Sequence, residues 1–194
     1  MEKENQIAFK EWAAIVRALS EGKQILIVRK GGIREEGGEF TVEHNEFFLF
    51  PTFEHQKYED LKPSARTYLE KVISEKPASN QIPVRYYVEV KSVIQLADER
   101  DLLRLDPYHV WSQTAMTQRF HFGQKKGLFV LAVRVYRLPE TKLVPFQPGY
   151  GGCKSWVEFD SKLKTDGASP VLSDLEFKAQ LHRLNFLFNQ SPAS

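Results

Sequence analysis

A glutamate and a lysine stand two residues apart in Val88-Glu89-Val90-Lys91-Ser92, a stretch whose β-branched residues predict a strand. Because side chains alternate across a strand, Glu89 and Lys91 are expected on the same face of a sheet. On that face the carboxylate would bind Mg²⁺, and the lysine would orient or activate an attacking water. The pattern is therefore found in metal-dependent nucleases, but it is common as a plain solvated ion pair on a sheet surface.

A nuclease of this kind needs a second carboxylate near Glu89. Glu59 and Asp60 are predicted to lie in a loop before a helix, and Glu46 begins a strand without the expected Pro-Asp pattern. A Mg²⁺-dependent nuclease using Glu89 and Lys91 is therefore an alternative hypothesis, and Mg²⁺ is expected as a cofactor only under it.

Aromatic rings and positive charges are interleaved between residues 111 and 126. Trp111 and Arg119 precede the run Phe120-His121-Phe122-Gly123-Gln124-Lys125-Lys126. Flat rings next to cations suit unpaired bases and a sugar-phosphate backbone, which predicts a site for RNA or single strands. In the competing interpretation the rings anchor the core and the lysines simply face water.

A second basic segment follows the first predicted strand. Arg29, Lys30 and Arg34 are interspersed with two glycine pairs, Gly31-Gly32 and Gly37-Gly38. Backbone amides in such loops can cradle a phosphate, although the Gly-Lys-Ser/Thr ending of a Walker loop is absent. Lys30 and Arg34 are accordingly predicted to assist nucleic-acid binding, and a hairpin turn with solvated charges is the alternative.

Two histidines and the one cysteine are further candidates for a polar site. No third His, Cys or carboxylate stands at a diagnostic spacing from His55 or His109, so no metal ligand is predicted. Cys153 precedes Lys154, whose charge would lower the thiol pKa, and His109 would be its base in a nucleophilic pair. Structural histidines and an inert buried thiol are the alternatives.

Composition restricts the class of protein. The 194 residues carry a formal net charge of +2, so any nucleic-acid affinity must come from a local patch. Apolar residues make up 42%, and 14 Phe, 7 Tyr and 3 Trp are enough for a substantial core. One cysteine, no apolar run long enough to span a bilayer and no basic, apolar leader together predict a cytoplasmic protein without a membrane segment.

Periodicity predicts alternating helices and strands. The helices are expected at 5–21, 62–75, 101–105 and 112–120, with a last helix opened by Ser173 whose Leu175, Ala179, Leu184 and Leu187 pack inward. The strands are expected at 24–28, 39–42, 46–50, 84–96 and 128–138, and an ordered loop at 139–152.

Several strings in the chain resemble a bacterial family known as domain of unknown function 1802. They are Lys30-Gly31-Gly32-Ile33, Phe50-Pro51-Thr52, His55-Gln56, His109-Val110-Trp111, Arg119-Phe120 and Gly151-Gly152-Cys153-Lys154-Ser155-Trp156-Val157. The resemblance covers almost the whole chain and implies no activity, cofactor or catalytic residue.

The predicted fold class is α+β, with peripheral helices on a curved sheet that is mixed or mainly antiparallel. About five to seven strands are expected, and the sheet is expected to resemble a partly closed PUA-like barrel. One domain is predicted over 1–190, followed by a frayed tail at 191–194.

The preferred function is a module that binds RNA or single-stranded nucleic acid, and the alternatives are the nuclease and a non-catalytic partner-binding domain with an exposed apolar patch. The predicted contacts to nucleic acid come from Lys30, Arg34, Trp111, Arg119, Lys125 and Lys126.

Overall fold

The computed structural model describes residues 1–30, 43–77, 80–124, 126–152 and 154–189. Arg34, Lys125, Cys153, the strand predicted at 39–42 and the tail predicted at 191–194 lie outside the described residues.

Five helices and seven strands are assigned in the described part of the chain. The strands are β1 (Glu4–Trp12), β2 (Leu26–Arg29), β3 (Glu46–Thr52), β4 (Gln81–Leu96), β5 (Leu128–Pro145), β6 (Trp156–Lys164) and β7 (Ser169–Pro170). The helices are α1 (Ala13–Ser20), α2 (Arg66–Ser74), α3 (Arg100–Leu105), α4 (Gln113–His121) and α5 (Asp174–Asn189), and short 3₁₀ turns lie at Tyr58–Asp60, Pro63–Ala65, Asp106–Tyr108 and Pro148–Tyr150.

All the strands belong to one mixed sheet, which confirms the predicted α+β class. The strand order is β2-β5-β4-β3-β1-β6, with β7 paired to β5. β1 and β3 run parallel, and the other pairs are antiparallel. Three strands separate β2 from β1 in this order, yet Arg29 at the end of β2 donates a hydrogen bond to the carbonyl of Lys10 in β1, which shows that the sheet curls.

Side chains from both faces of the sheet are buried. On one face, Phe47 and Val88 pack with the helices in the larger core, and on the other Phe48 and Tyr87 pack in a smaller aromatic core with Phe159. Neighbouring residues therefore enter different cores, as strand geometry requires.

The helix predicted from residue 5 is wrong over its first half. Residues 4–12 form β1, and only Ala13–Ser20 is helical. Phe9 is buried in the larger core and Ala8 in the smaller one. A strand covered on both faces loses the alternation of apolar and polar residues by which strands are recognised, and its pattern resembled a helix.

The loop predicted from 139 is also partly wrong, because β5 continues to Pro145. Its second half pairs with the start of β4, where Gln81 lies opposite Pro145. Pro139 falls where the register shifts between Val84 and Tyr86, so the ladder is already interrupted there. A proline that cannot donate is tolerated at such an irregularity.

Two further elements differ from the prediction. β6 was not predicted at all. In α5, Leu184 is buried as expected, but Leu175 is 80% exposed and Phe177 is buried instead. Ala179 also faces solvent. Within the described residues, no helix combines the length and the apolar character that a membrane crossing requires.

Candidate nucleic-acid interface

Trp111 precedes α4 and is held by strand-like pairing with Leu61. The next residue, Ser112, caps α4 by accepting a hydrogen bond from the backbone N–H of Ala115 at 3.2 Å, as predicted. The Trp111 side chain is fully buried, and Phe120 at the other end of α4 is 2% exposed. These two rings are core residues, as the competing interpretation holds, so Trp111 presents no open face for the predicted contact with nucleic acid.

Arg119 connects this part of the core to solvent. Its guanidinium carbon lies 3.6 Å from the ring centre of Trp111 and 5.5 Å from that of Trp12. The two indoles contact each other, with ring centres 4.7 Å apart. Arg119 and Trp12 are both half-buried. Thus the predicted pair Trp111 and Arg119 is brought together, and Trp12 at the end of β1 joins it.

A second arginine reaches the neighbourhood from β2. The guanidinium of Arg29 lies 4.2 Å from the ring centre of Phe9 and 3.8 Å from the carboxylate of Glu11. Burial lowers the pKa of Arg29, and Glu11 opposes that shift. Burial also lowers the pKa of Arg119. The negative charge of Glu11 opposes this shift, and the positive charge of Arg29 adds to it. The two cations therefore act on each other and share one buried carboxylate.

Several polar atoms at this location have no hydrogen-bond partner among the described residues. They are Glu11 Oε2, Arg29 Nε, Gln56 Nε2 and Trp111 Nε1. The other oxygen of Glu11 accepts from the backbone of Trp12 at 2.7 Å, and Gln56 Oε1 accepts from the backbone of Ala14 at 3.0 Å. These atoms, one acceptor and three donors, are fully buried, whereas buried polar groups in native proteins are normally satisfied. We call Glu11, Trp12, Arg29, Trp111 and Arg119 the arginine–tryptophan site.

The predicted lysines occupy different environments. The ammonium of Lys30 donates to the carbonyls of Phe120 at 2.8 Å and Gly127 at 2.9 Å, and so connects the end of α4 to the start of β5. Burial lowers its pKa. Lys126 is exposed to solvent. Lys30 is thus placed next to the predicted surface but bound to backbone, whereas Lys126 faces water.

The Glu89 and Lys91 side chains meet on one face of β4, as predicted. Lys91 Nζ lies 2.8 Å from Glu89 Oε2, and the hydroxyl of Tyr136 donates to the same oxygen at 2.7 Å. Burial favours protonation of Glu89, but hydrogen bonds from Lys91, the Met1 ammonium and Tyr136 outweigh it and lower the pKa of Glu89 to about 2.

The second carboxylate near Glu89 is Glu46. The two residues lie opposite each other in the antiparallel pair of β3 and β4. Both carboxylates contact the Met1 ammonium, Glu89 at 2.7 Å and Glu46 at 3.4 Å. Glu46 lacks the Pro-Asp pattern expected of such a carboxylate, and only the register of the strands brings it opposite Glu89. In the described ranges no group of three His, Cys, Asp or Glu side chains could hold a metal ion.

The two candidate histidines differ in burial. His55 is exposed in a turn with a φ of 60°. His109 is 4% exposed, and neither ring nitrogen has a hydrogen-bond partner of good geometry among the described residues. Burial and the charge of Lys62 lower the pKa of His109 to about 4, against weaker opposing effects of Asp106 and the backbone of Trp111. His109 is therefore neutral near pH 7.

Exposed apolar side chains are spread over helices, strands and loops of the described chain. Leu103, Leu175 and Phe186 are 67%, 80% and 59% exposed, and Phe122 just after α4 is 73% exposed. The partner-binding alternative stays a prediction.

The protein therefore has an α+β fold with a curled mixed sheet. A half-buried cluster of arginine and tryptophan lies at one end of β1 and β2. The chain belongs to the family described as domain of unknown function (DUF1802), whose model matches residues 8–183. This finding confirms the resemblance seen in the sequence.

The chain is also similar to solved structures of an ASCH protein from Zymomonas mobilis. With that protein it shares 10% identity and a TM-score of 0.42, over 92% of this chain and 94% of the other. One single-residue variant of that protein shares 12% identity and a TM-score of 0.43 with this chain, over 92% of this chain and 96% of the variant. Another shares 10% identity and a TM-score of 0.42, over 95% of this chain and 99% of the variant. Among curated proteins, none matches the sequence.

Proposed function

We propose that this protein binds RNA or single-stranded nucleic acid, and that the arginine–tryptophan site contacts an unpaired nucleotide. The observation that carries the proposal is the joint placement of two half-buried guanidiniums on aromatic rings, with the half-exposed Trp12 beside one of them. An unpaired nucleotide combines an anionic phosphate with a flat base, and so matches the cations and the aromatic surface.

The charges of the site favour a phosphate. Arginine binds phosphate oxygens through two parallel hydrogen bonds. Arg29 and Arg119 repel each other at this location, so an added anion would relieve their repulsion. The exposed Lys126 and, by its place in the sequence, Lys125 extend the positive charge along the chain.

The half-exposed Trp12 provides the aromatic surface that Trp111 does not. Trp111 is fully buried, and Arg119 covers its ring. Trp12 is only half-buried and touches both partners. Stacking of a base on such a ring contributes about 1–3 kcal/mol.

Fluorescence anisotropy with a labelled single-stranded RNA tests the proposal. Affinity is expected to fall steeply between about 50 mM and about 200 mM salt, because phosphate contacts release counterions. The double change Lys125→Glu with Lys126→Glu is expected to weaken binding to all sequences about equally. Arg183→Ala, an exposed position on α5, is the matched control and should bind like the unaltered protein. Absence of binding at low salt would overturn the proposal.

A Mg²⁺-dependent nuclease is a second candidate, and the pairing of Glu46 with Glu89 supports it. Mg²⁺ is commonly bound by one or two carboxylates together with substrate phosphates. The two opposed carboxylates, with Lys91 at 2.8 Å from Glu89, meet that minimum. Under this hypothesis Glu89→Ala abolishes Mg²⁺-dependent cleavage of RNA or DNA while the circular-dichroism spectrum is unchanged. Glu140→Ala, at an 80% exposed side chain, is the control.

A further inference from the structure

A groove separate from both sites above runs between α1, α2 and the adjoining ends of β4 and β5. Its volume is about 180 Å³. Apolar side chains form much of its lining, notably Val16, Phe53, Val72 and Pro83. None of the residues that line it belongs to the arginine–tryptophan site or to the Glu89 cluster.

The size of the groove selects a small ligand. An apolar cavity of about 150 Å³ holds a benzene molecule, whereas sites for drug-sized ligands begin at about 300 Å³. The groove therefore accommodates one ring-sized group and its substituent.

An irregularity in the pairing of β4 with β5 adds Arg85 and Tyr86 to the lining. The register with β5 shifts between Val84 and Tyr86, and Arg85 lies at that shift. Successive side chains of a regular strand point to opposite faces, but a bulge redirects one of them. As a result, the neighbours Arg85 and Tyr86 both line the groove.

Arg85 is the cation that remains available in this lining. Arg17 also lines the groove, but it is paired with Glu21 at 2.7 Å and with Glu75 at 3.0 Å. Arg85 is exposed, and it has no hydrogen bond or ion pair within the part of the chain that the structure describes. Glu75 is the acidic group in the lining, and Arg17 neutralises it. The charge without a counterpart is therefore the guanidinium of Arg85.

We infer that this groove binds a small aromatic carboxylate, with the ring against the apolar lining and Tyr86 and the carboxylate paired with Arg85. The guanidinium fork matches a carboxylate in two parallel hydrogen bonds. A neutral ring of the same size satisfies the apolar lining but leaves Arg85 without a partner.

Titration of the ¹⁵N-labelled protein with benzoate, followed by ¹H–¹⁵N correlation spectra, tests the inference. Saturable shifts are expected for amides of α1 and of Thr141, which lines the groove. Benzamide, the neutral analogue, is expected to bind about tenfold more weakly or not at all, because it cannot form the charged pair.

Variants at the predicted partner complete the test. Arg85→Ala should reduce benzoate affinity about tenfold without changing that for benzamide, and Arg85→Lys should recover part of it because lysine keeps the charge and loses the fork. Arg183→Ala should behave like the unaltered protein. Unchanged amide positions outside the groove establish that the variants are folded. Equal binding of benzoate and benzamide, benzoate binding unaffected by Arg85→Ala, or the absence of saturable shifts would each overturn the inference.

Discussion

The guanidinium of Arg119 lies over the buried ring of Trp111, with 3.6 Å between its central carbon and the ring centre. The ring is fully buried, so Arg119 occupies the side on which a base would otherwise stack. Trp111 therefore holds the arginine in place, and Arg119 and Trp12 are the groups left to meet a ligand.

Arg119→Lys keeps the charge but removes the planar group that stacks on Trp111. We expect RNA affinity at low salt to fall about tenfold, because lysine neither stacks on indole nor binds phosphate through a fork. The measurement is anisotropy with single-stranded RNA. Arg100→Lys, at an 85% exposed side chain paired with Asp98, is the matched control. Equal affinities for the Arg119 variant and the unaltered protein would show that charge alone matters at this position.

Lys30→Met tests whether this lysine acts on the fold or on the ligand. Its ammonium bonds the carbonyls of Phe120 and Gly127, so the substitution should lower the free energy of unfolding by about 2 kcal/mol. Urea denaturation measures this loss, and Lys164→Met, at an exposed position, is the control. If stability were unchanged and RNA binding were lost, the ammonium would act on the ligand instead.

His109 should make stability depend on pH below neutrality. Its pKa is about 4 in the folded protein, lower than the ordinary value of 6.5 because of burial and the charge of Lys62. Between pH 4 and pH 6.5 the unfolded chain binds more protons than the folded protein. The stabilisation is therefore present above pH 6.5 and is lost as the pH falls towards 4, a change of roughly 3 kcal/mol in the free energy of unfolding.

His109→Gln should flatten the dependence of unfolding free energy on pH in that interval, and His55→Gln, at an exposed position, should leave it in place. Denaturant titrations at a series of pH values measure both. A slope that survives the His109 substitution would contradict the assignment.

Glu89 should make stability depend on pH in a more acidic range than His109 does. Its folded pKa is about 2 against an ordinary 4.5, because hydrogen bonds from Lys91, the Met1 ammonium and Tyr136 outweigh the opposing effect of burial. The contribution of this carboxylate to the free energy of unfolding is roughly 2–3 kcal/mol. It is present above pH 4.5 and is lost as the pH falls towards 2. Glu89→Gln should remove it, and Glu140→Gln, at an 80% exposed side chain, should not. The measurement is acid unfolding followed by circular dichroism.

Much of the fold was predictable from local patterns, and the misses have specific causes. The Ser112 cap and the helix after it follow from local hydrogen bonding, and the long strands β4 and β5 follow from their β-branched residues. β1 was assigned to a helix because Ala8 and Phe9 are both buried, on opposite faces of the sheet. Burial on both faces depends on what packs there, which no local pattern records.

For the candidate sites, the sequence by itself determined which chemical groups are present and which neighbours along one strand share a face. Glu89 and Lys91 meet as strand alternation predicts, although the register with β5 shifts at Lys91. Only the tertiary structure decided the partners that are distant in sequence: Trp12 beside Trp111, Glu46 opposite Glu89, and Lys30 on the carbonyls of Phe120 and Gly127. The physical reason is that strand register and helix packing depend on how the whole core is filled, so the partners of a polar side chain emerge only when the buried surfaces come together.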